Sequence, residues 1–109
     1  MTLEIERRLS PRLPAVPNRA LALLKGPRIV PGVVIDISRS GALLRMDEQP
    51  KPNAKVWIGL THPVTTRWIV GTVVRIGETG EVGINLLHAC NPAFFWTATR
   101  GEVFRLLNS

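Results

Sequence analysis

The stretch 55–76, KVWIGLTHPVTTRWIVGTVVRI, contains two apolar segments joined by a short turn. In the first segment, Val56, Ile58 and Leu60 occupy every second position, and this period places them on one face of a β-strand. The second segment, 68–76, is rich in Val and Ile and is apolar on both faces. The turn THPV is short enough to make the two segments antiparallel neighbours, so this stretch predicts a pair of adjacent strands.

The rest of the chain repeats this pattern of short apolar runs. Nine glycines and nine prolines divide it into segments that are too short for typical helices, with the turns SRSG at 38–41 and GETG at 77–80. Six short runs with hairpin spacing predict a small antiparallel barrel or sandwich, and closure into a barrel would leave no exposed edge. The runs are 20–24, 32–37, 42–46, 54–60, 68–76 and 81–87.

The C-terminal part predicts a helix over 91–107. Asn91 is a favourable N-cap residue, and Pro92 suits the first helical position because its missing N–H would have no partner there. Apolar residues then recur at roughly helical spacing, although Gly101 is expected to weaken or kink the middle. We expect this helix to cover one mouth or flank of the barrel, with its phenylalanines in the core.

Composition indicates one folded basic domain. A length of 109 residues leaves room for one core, and 45% hydrophobic with only 20% charged residues excludes a disordered polybasic tail. Fourteen Lys+Arg against eight Asp+Glu give a net charge of +6, which favours an anionic partner such as nucleic acid, nucleotide, phospholipid or acidic protein. The single Cys90 permits no internal disulfide. No apolar run approaches a bilayer span and the start lacks a signal-peptide pattern, so a cytoplasmic location is expected.

Catalytic and metal-binding patterns are poor. His62 and His88 are far apart, and the pair His88 and Cys90 lacks the further ligands of a zinc site. Asp36 and Ser38 have no histidine base near them in sequence. We therefore expect no metal, no cofactor, no catalytic residues and no enzymatic activity.

Three arginines lie in a proline-interrupted N-terminal segment: Arg7, Arg8 and Arg12. The prolines make a regular helix improbable, so residues 1–18 are predicted to form a flexible arm in front of a barrel at 19–109. A guanidinium group binds phosphate oxygens in a bidentate manner and stacks on bases. The alternative interpretation is a solvated charge run that contacts nucleic acid without specificity.

The sequence Asp36-Ile-Ser38-Arg-Ser-Gly41 has two interpretations. As a hairpin turn, its Asp and Ser cap backbone N–H groups and its glycine supplies turn geometry. As a binding site, its carboxylate and hydroxyl accept hydrogen bonds from guanine, and its glycine lets the ligand approach the backbone.

Together, Arg8-x-x-x-Arg12 and Asp36-x-Ser38-x-x-Gly41, in this order ahead of the strand pattern, resemble the PilZ domain. The resemblance covers nearly the whole chain. It implies an all-β fold, a six-stranded antiparallel β-barrel with a C-terminal helix, and it implies a receptor for cyclic diguanylate (c-di-GMP). By this resemblance the two arginines hold the phosphates and stack on guanine, Asp36 and Ser38 contact a guanine edge, and Gly41 makes room.

Two further positions bear on the ligand. Arg7 matches an extra arginine that some PilZ domains carry, which implies an intercalated ligand dimer. Val73 and Val74 stand where some members offer an aromatic residue, so stacking would depend more on arginine.

The expected function is that of a stand-alone bacterial receptor whose arm and barrel act as one unit. Ligand would order the arm, and a protein partner would read that change, in motility, adhesion or polysaccharide export. One alternative is a basic barrel that binds single-stranded nucleic acid; the chain has no Tyr, and its three Phe are concentrated in the predicted helix, so nucleic acid is not the expected partner. The other alternative is a PilZ-like adaptor that binds proteins but no ligand.

Overall fold

In a computed structural model of the protein, the residues described are 11–65 and 67–101. They form seven strands and one helix: β1 Leu13–Pro14, β2 Arg19–Leu24, β3 Arg28–Ile37, β4 Gly41–Met46, β5 Lys55–His62, β6 Ile69–Ile76, β7 Glu81–Leu86 and α1 Pro92–Arg100. The six predicted runs correspond to β2 to β7. The prediction did not include β1, and it began β3 four residues too late.

The sheet closes on itself through β3. Its strand order is β1-β3-β2-β5-β6-β7-β4, with a further pairing between β3 and β4, and every pairing is antiparallel. The first half of β3 pairs with β2, and the second half pairs with β4. The six long strands therefore form a closed barrel, which confirms the predicted fold class.

The core lies inside the barrel and continues under α1. Alternate residues of the strands point inward, as in β2, where Ala20, Ala22 and Leu24 are buried. From α1, Phe94 and Ala98 are fully buried and join the same cluster. Burying a phenylalanine side chain contributes roughly 2–3 kcal/mol, so this one residue does much to attach the helix to the barrel.

The two ends of α1 have defined caps. The Asn91 side-chain oxygen accepts hydrogen bonds from the backbone N–H of Ala93 (2.9 Å) and Phe94 (3.3 Å), which confirms its role as N-cap. The helix ends at Arg100 rather than at residue 107, because Gly101 adopts a left-handed conformation (φ 76°) and its N–H bonds to the Thr97 carbonyl. A residue in that conformation cannot continue an α-helix. The rest of the predicted helix, 102–107, lies outside the described residues.

The segment 13–18 is bound to the barrel rather than free. Leu13 and Pro14 pair with the end of β3, and the N–H of Val16 donates to the Ala98 carbonyl of α1 (2.9 Å). The Asn18 side chain makes three hydrogen bonds, one to the backbone of Val16 in this segment and two to the backbone of Val34 in β3. The structure therefore differs from the predicted flexible arm over these residues; residues 1–10 lie outside the described part. Within the described ranges, no helix is long and apolar enough to cross a membrane.

Candidate functional site

A β-bulge near the end of β3 sets the direction of Asp36. The register with β4 shifts between Val34 and Asp36, which leaves Ile35 as the extra residue. Val34 and Ile37 are both buried in the core. Strict alternation from Val34 would turn Asp36 inward, but the extra residue reverses the alternation, and the Asp36 side chain lies at the surface with 23% exposure.

Strand β1 brings Arg12 to this carboxylate. Pro14 lies opposite Asp36 in the β1–β3 pair, and Arg12 directly precedes that strand. Its Nη1 lies 3.8 Å from Asp36 Oδ1, and the Arg12 side chain is 51% exposed. The structure thus brings together two of the predicted site residues that are 24 positions apart in the sequence.

One oxygen of Asp36 lacks a hydrogen bond. Oδ1 is buried, and none of the described residues donates a hydrogen bond to it. The Arg12 guanidinium is within ion-pair distance, but 3.8 Å is too long for a hydrogen bond. A buried acceptor without a donor costs free energy, so this atom would gain from a ligand N–H.

Asn18 fixes the segment that carries Arg12. Its side-chain nitrogen donates to the carbonyls of Val16 and Val34, both at 2.8 Å, and its side-chain oxygen accepts from the Val34 N–H at 2.9 Å. The amide therefore ties the segment to β3 beside the bulge. The sequence interpretation missed this residue, because an asparagine between Pro17 and a strand reads as an ordinary turn residue.

Ser38 serves the turn between β3 and β4. Its hydroxyl oxygen accepts hydrogen bonds from the N–H groups of Ser40 (3.3 Å) and Gly41 (3.1 Å), and the residue is only 3% exposed. Its own N–H donates to the Gly41 carbonyl at 2.8 Å. These contacts correspond to the turn interpretation of the motif for this residue.

Gly41 lies where the barrel leaves little room for a side chain. A Cβ at this position would lie 3.0 Å from the Ile84 carbonyl oxygen of β7. Two backbone hydrogen bonds also hold the turn. The Arg39 carbonyl accepts from the Cys90 N–H, and the Ser40 carbonyl accepts from the Leu86 N–H. Arg39 is exposed in this turn and adds a cation that the sequence interpretation did not assign.

Of the predicted site residues, Arg12 and Asp36 meet in an ion pair, while Ser38 and Gly41 form the adjacent turn. Arg7 and Arg8 lie outside the described residues.

The histidines and the cysteine form no reactive cluster. Burial raises the pKa of the Cys90 thiol from 9.0 to about 12, so the thiol stays protonated and is a poor nucleophile or metal ligand at neutral pH. His62 Nδ1 lies 3.1 Å from the Thr61 hydroxyl. The described ranges contain no group of three or more His, Cys, Asp or Glu residues able to hold a metal ion.

The comparisons with known proteins agree with the fold and the motif positions. No curated protein matches the chain significantly. The family model of the PilZ domain matches residues 6–91, which include both arginines of the N-terminal motif, the β3–β4 turn and all six barrel strands. The chain belongs to the PilZ domain family.

Proposed function

We propose that the protein is a receptor for c-di-GMP that binds the ligand at the end of β3, beside Arg12 and Asp36. PilZ domains are a c-di-GMP-binding family. The observation that carries the proposal is the buried Asp36 Oδ1, which lacks a hydrogen-bond donor among the described residues and lies next to a half-exposed guanidinium group. An unsatisfied acceptor beside a cation is suited to a ligand that has both N–H donors and a phosphate.

Each side chain has a distinct role in this proposal. Guanine presents N–H donors on its edge, and the Asp36 carboxylate accepts them. Arg12 binds a phosphate and offers its planar face to a base. Arg7 and Arg8 add two further guanidinium groups, and Arg7 favours an intercalated pair of ligand molecules. Ser38 and Gly41 contribute by holding the shape of the turn that borders the site.

The protein acts as a receptor and not as an enzyme, and it needs no metal or cofactor. It works in the bacterial cytoplasm, where ligand binding changes the surface around Arg12 and Asp36. A protein partner distinguishes the two states and passes the signal to motility, adhesion or polysaccharide export.

Isothermal titration of the full chain with c-di-GMP tests the proposal. Wild type is expected to bind saturably, and Arg12→Ala and Asp36→Ala are each expected to lose at least about tenfold in affinity, as befits a charged hydrogen bond. Arg45→Ala is the matched control, because Arg45 forms a comparable exposed ion pair with Glu81 (3.2 Å) on β4 and β7. It should bind as wild type does.

Three outcomes would contradict the proposal: no binding by wild type, unchanged affinity in both site variants, or equal loss in the control. Arg7→Ala tests the stoichiometry and should reduce two bound ligands to one. Single-stranded DNA should not compete with c-di-GMP.

A further inference from the structure

An apolar surface lies on the outside of the barrel, on the strands β2, β3 and β5 and at the residue that precedes β6. Leu23, Trp57 and Trp68 line a shallow depression there. Leu23 pairs with Ile29 of β3 on one side and with Trp57 of β5 on the other, so the three side chains form a row across the sheet. Ile29 is 60% exposed and Trp68 is 45% exposed. We call these four residues the tryptophan patch.

The absence of a side chain at Gly59 allows the Trp68 ring to lie flat on the sheet. A Cβ at Gly59 would lie 2.3–2.6 Å from three bonded atoms of the indole ring, so the ring face rests directly on the glycine backbone. Trp68 is nevertheless 45% exposed. Trp57 is held differently: the Lys55 ammonium group lies 5.2 Å from its ring centroid, a cation–π distance. The patch therefore presents partly exposed apolar side chains that are packed against the sheet.

Among the described residues, basic side chains predominate at both ends of the patch strands. One acidic residue, Asp47, lies beside β3, with its N–H bonded to the Pro31 carbonyl (3.1 Å). The stretches 11–35 and 49–77, which contain β1, β2, β5, β6 and most of β3, include no Asp or Glu. In the part of the chain that the structure describes, every acidic residue lies within 36–48 or 78–81. Exposed basic residues flank the patch: Lys25, Arg28 and Lys55 at one end of its strands, Arg19 and Arg67 at the other.

We propose that the tryptophan patch is a docking surface for an acidic segment of a partner protein that inserts one bulky apolar side chain. The depression would take the apolar anchor, and the basic rim would pair with Asp and Glu residues on either side of it. In many protein interfaces, most of the binding energy comes from a few large side chains that fill apolar pockets at the centre. A polar rim surrounds these pockets. The proposal deepens the proposed function, since it gives the receptor a surface for its partner.

The chemistry of the depression favours protein over nucleic acid. Its lining is three apolar side chains, which offer no hydrogen-bond partners to the edge of a base except the indole N–H groups. Single-stranded nucleic acid is usually bound by several aromatic faces on which successive bases stack. Among the lining residues only Trp57 and Trp68 are aromatic, and Lys55 lies over the Trp57 ring.

Random-peptide display tests this proposal. Peptides are selected for binding to the immobilised full chain without c-di-GMP, and peptides that also bind the Trp68→Ala variant are removed. The selected peptides are expected to combine Asp and Glu with a Phe, Trp or Leu. Their affinity, measured by fluorescence anisotropy, should fall at least about tenfold in Trp68→Ala and in Ile29→Asp. The second variant changes an exposed residue and so protects the test against misfolding. Val74→Asp is the matched control, because Val74 is 62% exposed on β6 outside the patch.

Four results would overturn the proposal. Selected peptides could bind Trp68→Ala and Ile29→Asp as well as wild type, or selection could yield no acidic, aromatic consensus. An oligo(dT) probe could bind in a Trp68-dependent way, which would assign the patch to nucleic acid. Concentration-dependent dimers that Ile29→Asp abolishes would assign it to a second copy of the chain. Titration of Ile29→Asp with c-di-GMP keeps the two hypotheses separate: the variant should bind the ligand normally whether or not peptide docking fails.

Discussion

Replacing Asp36 by Asn should leave the free protein at least as stable as wild type while weakening ligand binding. The substitution keeps the shape of the side chain and removes its charge. In the free protein the carboxylate has one favourable partner, the Arg12 guanidinium at 3.8 Å, and one unfavourable feature, a buried Oδ1 with no hydrogen bond from the described residues. The sign of the change in stability depends on which of these is larger.

Both contributions can be estimated. Coulomb attraction at 3.8 Å is about 1 kcal/mol in water and about 4 kcal/mol at an effective dielectric constant of 20. Because the Arg12 side chain is 51% exposed, screening and side-chain entropy reduce the net value to about 0–1 kcal/mol. A buried polar atom without a partner costs about 1–3 kcal/mol, and less when it is neutral. We therefore expect Asp36→Asn to raise the free energy of unfolding by about 1 kcal/mol.

Urea denaturation without ligand measures this change, and titration calorimetry with c-di-GMP measures the loss of affinity, which should be at least about tenfold. Glu81→Gln is the control, because it removes the carboxylate of the other described ion pair and should alter neither quantity by much. A fall in stability of more than about 1 kcal/mol for Asp36→Asn would show that the carboxylate serves the fold, and it would remove the main support for a ligand site at this atom.

Three further predictions concern other positions. Ser38→Ala should destabilise the free protein by about 1–3 kcal/mol in urea denaturation, because it leaves the Gly41 N–H without its acceptor in a buried turn; an unchanged midpoint would contradict the turn role. Gly59→Ala should push the Trp68 ring off the sheet, red-shift the tryptophan emission and cost about 1–3 kcal/mol; unchanged fluorescence would contradict the contact. Cys90 has a raised pKa, so its contribution to stability is complete below pH 9 and is lost as the pH rises toward 12. The stability difference between wild type and Cys90→Ala should shrink there by up to about 1.4 kcal/mol per pH unit, and a constant difference would refute the shift.

The sequence was most informative where side chains alternate. The six short apolar runs correspond to β2 to β7. Where a run alternates, as at Val56, Ile58 and Leu60, the two faces of a barrel strand impose that period directly. The start of β3 was missed because Pro31 interrupts the pattern, and proline cannot donate to a ladder. In the structure Pro31 lies opposite Leu21, and its carbonyl accepts a hydrogen bond from the Asp47 N–H. The proline therefore still contributes an acceptor to the backbone hydrogen bonding of β3.

The end of the helix could not be predicted from periodicity. Apolar spacing continues past Gly101 to residue 107, and glycine is compatible both with a kinked helix and with a left-handed cap. A tertiary contact favours glycine at this position. A Cβ at Gly101 would lie 3.1 Å from a methyl group of Val16, a residue 85 positions earlier in the chain. No local pattern reports such a neighbour.

The ligand-binding roles of the site residues stay predictions, but their positions in the structure can be compared with the motif. The motif pattern paired Arg12 with Asp36, and the structure places them in contact. It also assigned Ser38 to guanine, whereas the hydroxyl bonds within its own turn. The outward direction of Asp36 depends on the bulge at Ile35, and the apolar pattern of residues 32–37 does not reveal that bulge.

Strand β3 connects the two surfaces for which functions are proposed. Ile29 lies near its first end, in the tryptophan patch, and Asp36 lies near its last, beside Arg12. Seven residues of extended chain span about 23 Å, so a dinucleotide at one end and a peptide anchor at the other would not collide. Any influence of the ligand on a partner at the tryptophan patch would have to cross this distance. β3 is bonded to β2 on one side and to β4 on the other, and it has little freedom to move. A displacement of β3 is therefore a poor route for such a signal.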